Sequence, residues 1–138
     1  MRIAVLLPVL LLLAATPARA EHEVYYRYTV LGYVKDAAGR PQPSQTVELI
    51  REKTGFSYLG ETDASGLFVI VARLGDESAG EALTLRHGAL RARLTARFDA
   101  GNHTEERGTR VDLDGGRAVE HRAWFRSTLT KFLGASGR

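Results

Sequence analysis

Apolar and polar residues alternate with a period of two through most of this chain, and that alternation limits the folds it can adopt. In residues 82–98, ALTLRHGALRARLTARF, leucine, alanine and phenylalanine share one face while arginine and threonine occupy the other. Residues 25–35, YYRYTVLGYVK, and residues 46–52, TVELIRE, alternate in the same way. Such alternation is typical of antiparallel strands that bury one face and expose the other.

Turn-forming residues separate these strands at short intervals. They are GRP at 39–41, TG at 54–55, SG at 65–66, HGA at 87–89, GN at 101–102 and DGG at 114–116. Many short strands at this spacing, with no long helical window before residue 118, predict an all-β fold. We expect a single β-sandwich of about seven strands.

Two of the turns are built alike. Residues 36–39, DAAG, and residues 63–66, DASG, each begin with aspartate and end with glycine. Aspartate at the first position of a β-turn accepts backbone N–H bonds, and glycine tolerates the positive φ that follows. Calcium binding is the alternative, but Ca²⁺ takes six or more oxygen ligands, which neither loop provides. We therefore interpret four residues as structural: Asp36, Gly39, Asp63 and Gly66.

These turns lie within a longer pattern, V-x-G-x-V-x-D-x-x-G-x-P followed later by T-D-x-x-G-x-F. The matching residues are Val30, Gly32, Val34, Asp36, Gly39, Pro41, Thr62, Asp63, Gly66 and Phe68. The pattern resembles the carboxypeptidase regulatory-like domain family over residues 28–72, and more loosely to about 98. That resemblance implies a transthyretin-like Greek-key sandwich. It also implies a non-catalytic module that binds carbohydrate, protein or membrane components.

The first 20 residues have the features of a secretory signal peptide. Arg2 precedes an apolar stretch that is too short to span a bilayer, and Ala18-Arg19-Ala20 matches a cleavage site. We predict cleavage after Ala20, a periplasmic or secreted protein, and no transmembrane segment afterwards. Loss of Arg2 and Arg19 leaves 17 of the 19 basic residues against 16 acidic ones. A net charge this close to zero argues against nucleic-acid binding.

The remaining chain divides into a sandwich domain over residues 21–124 and a tail over 125–138. The tail alone has helical spacing, with Phe125, Leu129, Phe132 and Leu133 on one face. Since residues 67–72, LFVIVA, are apolar on both faces, we expect a short tail helix to cover one of them. In one alternative, the sheet face or the tail binds a partner, another copy or a membrane surface. In another, residues 118–126 form a final strand.

Nothing in the sequence supports catalysis or a cofactor. The four histidines have no metal-binding spacing, and the chain has no cysteine to assist them; they are His22, His87, His103 and His121. No serine lies in a nucleophile-elbow motif. We therefore predict a protein that is not an enzyme and that holds no metal or cofactor.

Two binding hypotheses follow. In the first, the protein is an accessory module that binds a protein partner of the cell envelope through an exposed sheet face or the tail residues Trp124, Phe125, Leu129, Phe132 and Leu133. In the second, it binds an anionic glycan or lipid headgroup through Arg86, Arg91, Arg93 and Arg97. The alternative to the second is an ordinary solvated face where these arginines pair across strands with Glu48, Glu52 or Glu61.

Overall fold

The computed structural model describes residues 24–136, so the signal peptide predicted at residues 1–20 and His22 lie outside it. Within residues 24–136, eight strands and one helix make up the fold. They are β1 Arg27–Lys35, β2 Thr46–Arg51, β3 Ser57–Glu61, β4 Leu67–Arg73, β5 Ala82–His87, β6 Leu90–Thr95, β7 Gly108–Asp114, β8 Arg117–Glu120 and α1 Phe125–Ser136. Single 3₁₀ turns occupy Val24–Tyr26, Asp76–Ser78 and Arg122–Trp124.

The strands form two four-stranded sheets, and the predicted all-β sandwich is confirmed. The first sheet has the order β4-β1-β7-β8 and the second the order β3-β2-β5-β6. Every pair is antiparallel except β1 and β7, which run parallel. The described residues form one strand more than the seven expected. Short strands are easily missed in a sequence, and β8 has only four residues.

The core lies between the two sheets. Its largest fully buried side chains are Tyr28, Phe68, Leu31, Leu49, Ile70, Leu74, Leu83 and Leu85. All but Leu31 belong to one cluster between the sheets. The period-two pattern therefore identified the buried faces of β1, β2 and β5, because alternate residues of a strand point to opposite sides.

The two aspartate turns lie against each other at one end of β1. Asp63 Oδ1 accepts bonds from the N–H groups of Ser65 and Leu67, at 2.9 and 3.0 Å. Gly66 adopts a φ of +81°, and a Cβ there would lie 2.7 Å from the carbonyl oxygen of Val34. Asp36 builds the neighbouring turn in the same way, with both Ala38 and Arg40 N–H groups donating to its Oδ1 at 2.9 Å. Both aspartates therefore hold backbone rather than point toward a ligand.

Helix α1 packs on the outer face of the first sheet. Phe125 and Leu129 are buried together with Leu31 of β1, and Val69 and Phe132 pack against them. The tail therefore forms the predicted helix and covers part of the outer apolar face of its own sheet, while Val71 of β4 stays exposed. The alternative of a final strand over 118–126 holds only for residues 118–120, because β8 ends at Glu120 and a 3₁₀ turn follows before the helix.

Candidate functional site

The tail residues proposed for partner binding divide into a buried and an exposed set. Phe125 is only 4% exposed and Leu129 is also buried, so both are occupied by the contact with the first sheet. Phe132 is half-buried and packs against the same cluster. Trp124 and Leu133 remain about half-exposed, at 50% and 53%. Only these two large side chains of the tail set present apolar surface to a partner while the helix is docked.

Trp124 belongs to a polar cluster on the outer face of the first sheet. Its ring stacks on His121, with centroids 4.1 Å apart, and the Arg110 guanidinium lies 5.2 Å from the ring. Arg110 donates to both carboxylate oxygens of Asp112, at 3.0 and 2.9 Å, and to Thr128 Oγ1 of the helix at 3.0 Å.

This Arg110 cluster secures the helix to the sheet. Asp112 is buried and also accepts a bond from the Tyr33 N–H at 3.1 Å. The hydrogen bond to the Asp112 carboxylate raises the pKa of Arg110 above its usual value, so the guanidinium stays charged. Thr128 Oγ1 in turn donates to the Trp124 carbonyl at 2.7 Å. Every one of these polar atoms has a partner within the fold, so we assign the cluster to structure.

The arginines proposed for anion binding lie on the outer face of the second sheet, on β5, β6 and the segment just after β6. Arg86 forms an ion pair with Glu48 across β5 and β2, and Arg93 Nε lies 3.1 Å from Glu52 Oε2. Both pairs are the cross-strand contacts expected of a solvated face. Within residues 24–136, Arg91 and Arg97 form no ion pair, and both are exposed.

The outer face of the second sheet is open. The outward residues of its four strands are all exposed or half-buried, in contrast to the helix-covered face of the first sheet. One row across it reads Leu59, Glu48, Arg86 and Arg91. Leu59 is 68% exposed, the largest exposed fraction among the large hydrophobic side chains of the described chain. The face combines apolar surface with arginine.

A cleft of about 390 Å³, which sequence reasoning missed, lies between segments 97–108 and 122–126. Four arginines line it together with acidic side chains: Arg97, Arg107, Arg122 and Arg126. Arg107 is buried, and its Nη2 donates to Asp76 Oδ1 at 2.8 Å and to the Asn102 carbonyl at 3.0 Å. No motif marks Arg107, since its partners come from separate irregular segments.

The charges of the cleft are largely balanced from within. Arg122 donates to Glu120 at 2.9 Å, and Arg126 forms an ion pair with Glu105. Asp76, which pairs with Arg107, also lies 2.8 Å from His103 Nε2. Arg107 first and His103 second hold the pKa of Asp76 below its usual value. The ion pairs of the cleft therefore tie loops together.

No three histidine or carboxylate side chains of residues 24–136 converge on a common point where a metal could bind. Over the same residues, no helix has both the length and the apolar composition needed to cross a bilayer. The three described histidines each contact one polar group: His87 meets Gln45, His103 meets Asp76 and His121 meets Asp112.

Comparison with known proteins returned no match for this chain, either among protein-family models or among curated proteins.

Proposed function

We propose that this chain is a non-enzymatic, exported interaction module that binds a protein partner of the cell envelope. One observation carries the proposal, namely the open outer face of the second sheet with Leu59 at one side and Arg91 and Arg93 at the other. Protein interfaces are enriched in arginine and surround apolar anchors with a polar rim. The resemblance to carboxypeptidase regulatory-like domains supports the same role.

A capture experiment with two matched variants tests this function. The mature protein, immobilised, is exposed to its native envelope fraction, and the retained proteins are identified by mass spectrometry. Leu59→Glu alters the open face, while Leu133→Glu makes the same change at a similarly exposed leucine of α1. We expect a specific protein to be retained by wild type and by Leu133→Glu but lost with Leu59→Glu.

The alternative outcomes of this capture are informative. Loss with Leu133→Glu alone would assign the contact to the tail instead of the sheet. If wild type retains no protein above the level of an unrelated immobilised domain, the proposed function fails. Both variants change exposed side chains, so far-UV circular dichroism is expected to show an unchanged fold.

Export is part of the proposal and has its own test. Mass spectrometry of the N-terminal peptide from the periplasmic or culture fraction is expected to begin at Glu21. A cytoplasmic protein that retains Met1 would contradict export and would remove the envelope partner from consideration.

A second candidate function is the binding of an anionic glycan or lipid headgroup. It is favoured by Arg91 and Arg97, which are exposed and form no ion pair in the described chain. We expect binding to heparin or to vesicles with anionic lipid to weaken with salt, because exposed charges are screened. Replacement of Arg91, Arg93 and Arg97 by alanine is expected to abolish it, and binding that survives would exclude this face.

A further inference from the structure

Strand β6 has one side without a strand partner. It pairs with β5 along its full length, from Leu90 to Thr95, and with no other strand of the described chain. Just after β6, the N–H and carbonyl of Ala96 bond back toward the β5 side, to Glu81 and Gly80 at 2.8 and 2.7 Å. The Arg97 and Thr95 carbonyls point the other way and accept bonds from the Arg122 guanidinium at 3.2 and 3.5 Å, so Arg122 occupies this end of the edge.

These bonds fix which backbone groups of β6 face the open side. Bonding direction alternates from one residue to the next along an antiparallel strand. Since Ala96 bonds toward β5, the N–H and carbonyl groups of Arg91 and Arg93, and the N–H of Thr95, point outward. In the part of the chain that the structure describes, these groups have no hydrogen-bond partner. Such a row is a ready template for another strand.

The side chains around this edge define what kind of strand would fit. Arg91 and Arg93 project from the outer face of the sheet, and Leu90 and Ala92 lie half-buried on the inner side. An added strand would place alternate residues beside each set. Acidic residues would complement Arg91, which forms no ion pair in the described chain, and would compete with Glu52 for Arg93. Apolar residues between them would extend the core at Leu90. Five residues of β6, from Arg91 to Thr95, correspond to about 17 Å of strand, with only the outward carbonyl of Thr95 occupied, by Arg122.

A second copy of this chain does not satisfy the same edge. Antiparallel pairing of β6 with β6 would place Arg91 and Arg93 beside the same arginines of the other copy. Like charges directly opposite each other destabilise a strand pair. The edge therefore favours a different polypeptide.

We propose that the open edge of β6 binds an extended segment of a partner protein in which acidic and apolar residues alternate, adding it as an antiparallel strand. Main-chain bonds to Arg91 and Arg93 give such a contact its affinity, and the side chains give it specificity. The inference rests on the proposed function as a protein-binding module and narrows it to one edge and one class of partner sequence.

Synthetic peptides test the strand contact with the purified mature protein. The probe is a nine-residue peptide of alternating glutamate and valine, with binding measured by fluorescence anisotropy. We expect saturable binding, at least about tenfold weaker when lysine replaces glutamate because the charges then repel. No binding of the acidic peptide would overturn the proposal.

Backbone methylation separates an added strand from simple charge attraction. In an antiparallel pair, the residues opposite Arg91 and Arg93 exchange main-chain bonds with them. N-methylation of the glutamates should therefore abolish binding, whereas N-methylation of the valines should leave it. Equal effects of the two methylated peptides would overturn the proposal.

A proline variant of the protein tests the same main-chain bonds. Arg93→Pro removes the outward N–H without touching the ladder to β5, and proline is tolerated on edge strands. Arg93→Ala removes the same charge and keeps the N–H. We expect Arg93→Pro to bind the peptide at least about tenfold more weakly than Arg93→Ala. Equal binding by the two folded variants would overturn the proposal, and if Arg93→Pro does not fold, the methylated peptides decide.

Failure of this inference can be told apart from failure of the proposed function. If an envelope protein is retained equally by Arg93→Pro and Arg93→Ala, and the peptide does not bind, the β6 edge is excluded while the module function stands. If the peptide binds in the expected manner and no envelope protein is retained, the edge stands and the envelope function fails. Concentration-dependent dimers lost in Arg93→Pro would assign the edge to a second copy and overturn the proposal.

Discussion

At the scale of single residues, Gly108 decides how closely α1 approaches the first sheet. A Cβ at this position would lie 2.1 Å from the Thr29 carbonyl oxygen and 2.5 Å from the Phe125 ring. The backbone oxygen cannot move away without disturbing β1, and the ring is buried. We expect Gly108→Ala to lower the free energy of unfolding by about 1–3 kcal/mol, as overpacking of a core does. Urea denaturation measures it.

Gly134 provides the matched control. It lies in α1, and a Cβ there would meet no heavy atom within 4 Å. Gly134→Ala is expected to raise the free energy of unfolding by up to about 1 kcal/mol, because alanine restricts the unfolded chain and favours the helix. Equal stability of the Gly108→Ala protein and the wild type would contradict the close packing described above.

The Asp63 carboxylate is expected to make the free energy of unfolding depend on pH. Burial alone would raise the pKa of this carboxyl, but bonds from the Ser65 hydroxyl and the N–H groups of Leu67 and Ser65 lower it overall. A folded-state pKa below the unfolded value of about 3.9 gives stability that is present above pH 4 and lost as the pH falls through the folded pKa. Asp63→Asn is therefore expected to be about 1 kcal/mol less stable at pH 7. The deficit should shrink below pH 4.

Urea denaturation between pH 2 and pH 7 measures this effect. Glu61→Gln is a suitable comparison, because within residues 24–136 the Glu61 side chain is exposed and makes no hydrogen bond or ion pair. A deficit for Asp63→Asn that stays constant across the series would mean that its hydrogen bonds do not depend on the charge.

The two aspartate turns were predictable because their bonds are local. Asp63 bonds to residues two and four positions along the chain, a distance that a sequence pattern can encode. The contact between Arg107 and Asp76 spans 31 residues and joins two irregular segments. The fit of Phe125 over Gly108 likewise depends on how a helix lies on a sheet, which no local pattern specifies.

At the scale of elements, α1 is held by one of its faces. Phe125 is buried against Leu31, while Leu133 points outward. We expect Phe125→Ala to cost about 3–5 kcal/mol, as removal of a buried phenylalanine does. Leu133→Ala should change the free energy of unfolding by no more than about 0.5 kcal/mol. Thermal or urea unfolding of the two variants measures the contrast.

Similar costs for both substitutions would contradict the orientation of the helix. A small cost for both would mean that the tail is not docked in solution and that its apolar face is available to a partner. For the same reason, point substitutions on the exposed face test partner binding more cleanly than deletion of the tail, which would uncover Leu31 and Val69.

The helix could be predicted from the spacing of its apolar residues, and its docking from the two-faced apolar pattern of β4. The short strand β8 was harder to place, because Arg117–Glu120 contains only two apolar residues and its pairing with β7 is set by the turn between them. The arginines of β6 were placed correctly on the outer face. Glu48 and Glu52 were also named as partners and form ion pairs with Arg86 and Arg93, but which arginine meets which glutamate depends on the order of strands, which alternation does not give.

At the scale of the whole molecule, the helix and the sandwich share a strand. Leu31 contacts α1, while its neighbours Val30 and Tyr28 in β1 belong to the inner core. We expect one cooperative unfolding transition. Trp124, the only tryptophan of the chain, reports on the start of the helix by fluorescence, and far-UV circular dichroism reports on the sheets. The two denaturation curves should coincide, and an earlier fluorescence transition would mean that the helix detaches first.

The sandwich could be predicted from alternation and turns, but its strand order could not. A pattern of buried faces is compatible with many orders, and the parallel pair of β1 and β7 adds no local signal. The open edge of β6 follows from that order. Sequence reasoning therefore identified the arginines of the edge and missed the unpaired backbone beside them.

The pairing of β1 with β7 also governs when the fold can be completed. β1 lies at the centre of the first sheet, yet its bond from the Tyr33 N–H reaches Asp112, 79 residues further along. A chain that emerges from a ribosome displays its central strand long before the neighbour that completes it. Contacts this distant in sequence form slowly. During synthesis, the first sheet is thus expected to stay incomplete until the ribosome has released β7.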